Sequence, residues 1–143
     1  MPYSFELKLD GKTYYFCHAG VDPDKPLNEQ EPDDLLWIRE KFWAFYEGEE
    51  IVVVGHTPIQ KIKSEAEIEA SLEQALHERR SDGENFYAEE IFYVDSATAG
   101  SIQDCKPQWR RGGKVLLMDT GSFRSNGKIS CVDVLSGTIW QSD

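Results

Sequence analysis

The sequence predicts a mixed α/β fold rich in strands, and three observations carry that reading. Phe5, Leu7 and Leu9 alternate with Glu6, Lys8 and Asp10, the period-two pattern of a half-buried strand. Ile51-Val52-Val53-Val54 is a continuous apolar run, as expected for a strand buried on both faces. Between residues 64 and 80, Ile68, Leu72, Ala75, Leu76 and Arg79 keep a helical stripe behind a Ser64/Glu67 capping box.

The remaining elements follow in chain order. Asp10-Gly11 is a strong hairpin signal and leads into a second strand over Thr13–Cys17, which ends at His18-Ala19-Gly20. Residues 21–34 are rich in proline and acid and read as a loop. Pro32-Asp33-Asp34 opens a helix whose apolar face runs through Leu35, Leu36, Ile38, Phe42, Phe45 and Tyr46 and stops near Gly48. The Ile51–Val54 strand stops at Gly55-His56-Thr57-Pro58. After Ser81-Asp82-Gly83, residues Glu90 to Val94 read as a strand, and Ala97 to Arg111 as irregular chain. Val115–Met118, Ile129–Val134 and Thr138–Trp140 read as a closing meander, turned at Ser125-Asn126-Gly127 and Ser136-Gly137. The stretch 63–111 reads as an insertion, because it separates two compact strand-rich segments.

Composition narrows the function. The 143 residues are 40% hydrophobic and 29% charged, ordinary for a globular domain. No window approaches the length of a membrane-spanning helix, and Met1–Glu6 lacks the basic and apolar regions of a secretory signal. Fifteen Lys and Arg against 26 Asp and Glu give a net charge of −11, which disfavours nucleic acid and anionic membranes as partners. An anionic substrate would need a metal or a few arginines to meet it. Cys17, Cys105 and Cys131 form no C-x-x-C pair and read as buried, reduced thiols of a cytoplasmic protein.

Two histidines share one local plan. His18 and His56 each follow an apolar strand and stand beside glycine, at the strand ends where open sheets hold ligands. A neutral imidazole is the commonest metal ligand, though a hydrogen-bonded structural role fits a strand-end histidine equally. His77 lies amid charged helix residues and reads as solvent-exposed.

Four segments together resemble a known family. They are Phe16-Cys17-His18-Ala19-Gly20-Val21, Leu36-Trp37-Ile38-Arg39-Glu40, Val53-Val54-Gly55-His56-Thr57-Pro58, and Asp119-Thr120-Gly121 with Gly127-Lys128-Ile129. In this order they resemble the F-x-H-A-G, L-W-x-R, V-x-G-H-T and D-T-G…G-K-L motifs of the calcineurin-like metallophosphoesterases, in the bacterial serine/threonine protein phosphatase branch. The resemblance implies the second half of an α/β/β/α sandwich carrying a helical insertion. It also implies phosphoester hydrolysis by a water activated between two divalent metal ions, manganese first and iron or zinc as substitutes. His18 and His56 would be ligands of one metal. Arg39 would contact the phosphate through its planar fork of donors, or else be a surface helix arginine. Gly20, Gly55, Thr57, Asp119 and Gly121 would shape the loops beside the site.

The family's G-D-x-H-G, G-D-x-x-D-R-G and G-N-H-E motifs do not occur in this sequence. The resemblance therefore implies a partial domain over residues 1–143, catalytically complete only with a missing N-terminal half, and its uncovered strand edge and faces predict a homo-oligomer. Substrates would be phosphoproteins or small phosphoesters. Two other readings stay open: a dinucleoside polyphosphate hydrolase gripping its substrate with Arg110 and Arg111, and a non-catalytic interaction module on a degenerate phosphatase scaffold.

Overall fold

The structure, a computed structural model, describes residues 2–77, 89–102 and 105–143. Strand β1 (Ser4–Leu9) pairs antiparallel with β2 (Lys12–Cys17), and Leu9 faces Lys12 across a two-residue loop. Asp10 and Gly11 both take positive φ, 50° and 75°, as a type I′ hairpin turn requires. This explains why Asp-Gly stands there.

The main sheet has five strands in the order β1-β2-β3-β5-β4, where β3 is Ile51–Val54, β4 is Gln108–Arg110 and β5 is Val115–Leu117. Strands β2, β3 and β5 run parallel, and the edge strands β1 and β4 run antiparallel to their neighbours. Strand β3 is central and buried throughout, because both of its faces are covered. Val52 and Val54 join Tyr15, Phe42, Trp43 and Phe92 in the larger core cluster, while Ile51 and Val53 pack with Tyr14 and Leu116 on the opposite face. A hairpin of β6 (Ser130–Val132) and β7 (Ile139–Gln141) forms a separate two-stranded sheet. Its Val132, with Val134 just beyond it, packs against that second face.

Several sequence expectations change. The helix expected over 35–46 is two short helices, α1 (Pro32–Trp37) and α2 (Glu40–Phe45). Arg39 between them leaves helical geometry at φ −132° and ψ −122°. The break lets α2 bury Phe42 and Trp43 while Arg39 turns toward the strand ends. Helix α3 (Glu65–His77) starts at the reciprocal Ser64–Glu67 capping box. Residues 78–80 of the helix expected over 64–80, and the Ser81-Asp82-Gly83 turn, lie outside the described residues.

Glu90–Val94 is not a strand. Glu89–Phe92 forms a helical turn, α4, and Tyr93 makes one bridge to Ile62. Ile91 and Phe92 are both buried, which alternation across a half-buried strand cannot achieve. The stretch read as irregular holds α5 (Ser96–Ser101), capped by Asp95, and strand β4. The closing meander is also corrected. β5 belongs to the main sheet, and only β6 and β7 pair with each other.

The 63–111 segment contributes Ile68, Ile91, Phe92 and Cys105 to the main core. Phe5 is exposed on the edge strand, and Cys131 is exposed rather than buried. Among the described residues no helix is long and apolar enough to cross a membrane.

Candidate functional site

The parallel register of the sheet assembles the site. Phe16 pairs with Val53 and Val54 with Leu117, so the chains leaving β2, β3 and β5 emerge side by side at one end. His18 follows β2 directly, and His56 and Asp119 follow β3 and β5 after one residue each. The Gly55 N–H donates to the His18 carbonyl at 2.9 Å and fixes the first two segments together.

His56 stands in an unusual backbone geometry. Its φ is +67°, and the Thr57 N–H closes on the Gly55 carbonyl at 2.8 Å. A three-residue turn with positive φ at its centre is the rarer, strained form of γ-turn. The turn points the imidazole back across the strand ends. His56 Nδ1 lies 2.9 Å from His18 Nε2, and Arg39 Nε–H donates to His56 Nε2 at 3.3 Å. Because Arg39 can only donate, Nε2 of His56 is the acceptor, which puts the proton of neutral His56 on Nδ1, toward His18. Burial holds the His56 pKa below the ordinary imidazole value, the nearby Arg39 and His18 lower it further, and Asp119 opposes them weakly. His56 is therefore a neutral imidazole at neutral pH. The edge of Trp37, itself 66% exposed, meets the His56 ring with centroids 5.8 Å apart.

The supporting residues make local contacts. Asp119 accepts from the Gly121 N–H at 2.8 Å, and its carbonyl accepts from Ile59 N–H. Gly121, at φ +67°, leaves room for the buried Gln60, whose amide donates to the Thr120 carbonyl. Gly20 lets Phe42 and Ile38 approach the backbone, since a Cβ there would come within 2.6 Å of the Phe42 ring. Thr57 is buried, and its hydroxyl finds no partner among the described residues. Cys17, beside His18, donates its thiol proton to the Gly20 carbonyl, and burial pushes its pKa up to about 12. It stays a thiol and is a poor nucleophile. His77 is exposed on α3.

Arg110 and Arg111 do not join this site. Arg110 pairs with Val115 near the start of β3, at the opposite end of the parallel strands. It is 5% exposed, with hydrogen bonds to the Lys63 carbonyl and Gln108 Oε1. Arg111 donates to the Tyr46 carbonyl and pairs with Glu47. Neither is a solvated basic turn, and neither faces His56.

The donor set limits which metal could be held. Two imidazole nitrogens each about 2.1 Å from one ion, at a right angle, would stand about 3 Å apart, so His18 Nε2 and His56 Nδ1 would match two ligand positions of one ion once the His56 Nδ1 proton is displaced. Among the described residues no group of three or more His, Cys, Asp or Glu could hold a metal. Hard divalent cations want carboxylate oxygens, so these residues alone do not fit a two-metal centre.

The sequence reading missed three residues beside the site: Trp37, Lys61 and Arg124. A signal for the last two was present. In a strongly acidic chain, each is a cation five positions beyond a motif residue, His56 or Asp119. The chain matches no protein-family model, no curated protein and no solved structure.

Proposed function

We propose that this chain carries the histidine–arginine part of a metal-dependent phosphoester hydrolase site of the calcineurin-like, serine/threonine-phosphatase type. The observation that supports the reading most is the convergence of His18, His56 and Arg39, drawn from three separated segments. A divalent ion held there would supply charge neutralisation and an acidified water. His18 Nε2 and His56 Nδ1 would be its two nitrogen ligands, with the His56 proton moving from Nδ1 to Nε2 on binding, and the lowered pKa of His56 favours its neutral ring. Arg39 Nε–H bonds His56 Nε2 in the metal-free chain, and with an ion on the histidines that bond would be released and the guanidinium would turn to a phosphate oxygen. Trp37 stacks edge to face with the His56 ring beside the site. Carboxylate ligands for a second ion would come from another polypeptide segment carrying G-D-x-H-G, G-D-x-x-D-R-G and G-N-H-E. The substrates would be phosphoproteins or small phosphoesters. The polyphosphate reading loses its support, because Arg110 and Arg111 are occupied at the far end of the sheet.

The test measures manganese-dependent hydrolysis of an aryl phosphate by the chain, alone and with a polypeptide bearing those motifs. The expected result is turnover in the mixture that falls by about two orders of magnitude or more in Arg39→Ala, as loss of a charge-stabilising donor does. It should also be lost in His56→Ala. A rate unchanged in both variants overturns the reading.

A further inference from the structure

A cavity of about 510 Å³ adjoins the site, and Arg39 lines it together with Glu40, Lys61, Tyr93 and Arg124. The molecule carries a net charge of −11, yet this cavity gathers three cations against one carboxylate. That carboxylate is occupied, since Glu40 Oε1 accepts from the Tyr93 hydroxyl at 2.8 Å. Among the described residues, no carboxylate pairs with Arg39, Lys61 or Arg124.

Each cation is anchored by its own segment. Lys61 ends the 3-10 turn Ile59–Lys61 just after the His56 turn, and its carbonyl accepts from Val94 N–H on the facing chain. Arg124 closes the turn after Asp119-Thr120-Gly121, its N–H bonded to the Gly121 carbonyl. Its guanidinium lies 5.5 Å from the Phe123 ring centroid. The buried Arg124 Nε–H finds no hydrogen-bond acceptor among the described residues. Three cations around a concave, partly desolvated space focus positive potential there, against the sign of the whole molecule.

We propose that this cavity is a second anion subsite, in which Lys61 and Arg124 bind a phosphate or carboxylate group of the substrate beside the group held at Arg39 and the histidine pair. The inference deepens the phosphoester reading, resting on it for what occupies the neighbouring site. It makes the preferred substrate one with two anionic groups rather than a simple monoester.

The test needs neither metal nor turnover. The full chain, free of divalent ions and at fixed ionic strength, is titrated with inorganic phosphate and, separately, with succinate. The Arg124 Nε–H resonance is followed by NMR. One or both probes should shift it saturably, and the stronger one identifies the group preferred. Lys61→Gln, and Arg124→Gln read on backbone amides of the same turn, should each weaken binding about tenfold, the loss expected for one charge-assisted hydrogen bond. His56→Asn should retain it. Binding lost in His56→Asn but kept in the other two variants would place the anion at the histidine pair and overturn the second subsite, leaving the phosphoester reading standing. No saturable shift below about 10 mM of either probe also overturns it. Absence of manganese-dependent hydrolysis bears on the phosphoester reading alone and leaves this result unchanged.

Discussion

His18 and His56 lie 38 residues apart in sequence, and their facing nitrogens, Nε2 and Nδ1, lie 2.9 Å apart. Two features of the backbone produce this contact. The parallel pairing of β2 with β3 sets the two strand ends side by side. The strained turn at His56, φ +67°, then swings its ring across toward His18 instead of onward along the strand. Arg39 completes the arrangement from the break between α1 and α2.

The strain at His56 can be measured. A residue with a Cβ at positive φ costs roughly 1–2 kcal/mol that glycine does not incur. Both His56→Gly and His56→Ala remove the imidazole, but only the glycine variant relieves the turn. His56→Gly should therefore be the more stable of the two by about 1 kcal/mol in urea denaturation. Equal stabilities would mean that the turn is unstrained.

The lowered His56 pKa gives stability a pH dependence of definite sign. Below the ordinary imidazole value of 6.5, unfolded His56 takes up a proton that the folded ring resists. The unfolded state then binds more protons, so stability rises with pH in that window and falls as pH drops from 6.5 toward the folded value. In the metal-free chain, lowering the pH from 7.5 to 5 should destabilise the wild type more than His56→Asn. Asparagine tolerates the same backbone geometry and does not titrate. Parallel loss in both proteins would remove His56 as the cause.

How much of this was legible in the sequence depended on whether the signal was local. The Asp10-Gly11 turn, the Ser64–Glu67 cap and the doubly buried Ile51–Val54 run each followed from residues adjacent in the chain, and each is present. His18 and His56 were recognisable from their strand ends, and Arg39 from its segment. What failed depended on distant contacts. Ile91 and Phe92 carry strand composition, but the main core takes both together and favours a helical turn. β5 lies between β3 and β4, so the chain after it could not continue as a meander. Lys61 and Arg124 meet only through the cavity, which no local pattern encodes.

The loop that carries Arg124 depends on a close backbone crossing. A Cβ on Gly127 would overlap the Gly121 carbonyl, although Gly127 has no unusual φ. Gly137 is the converse, with φ 76° and open space around it. Gly137→Ala should cost about 1 kcal/mol of conformational strain. Gly127→Ala must displace backbone and should cost about 3 kcal/mol or more. Thermal unfolding of the two variants separates crowding from conformation. A Gly127→Ala variant as stable as Gly137→Ala would show that the crossing is not tight.

Arg110 is the cation whose loss should damage the fold and spare the site. It lies 5% exposed among β4, the segment before α3 and the Glu65 and Glu67 carboxylates, and its two end nitrogens bond the Lys63 carbonyl and Gln108 Oε1. Arg110→Met keeps much of the apolar stem but strips both acceptors of their donor. Because Lys63 is half-buried and Gln108 exposed, water replaces part of what is lost, and the cost should be about 1–2 kcal/mol. The midpoint of urea unfolding should fall accordingly. In the fraction that remains folded, anion binding at the Arg39–Lys61–Arg124 cavity should keep its wild-type affinity, because Arg110 sits at the other end of the parallel strands. Weakened anion binding with unchanged stability would reverse the assignment and restore Arg110 as a ligand-binding residue.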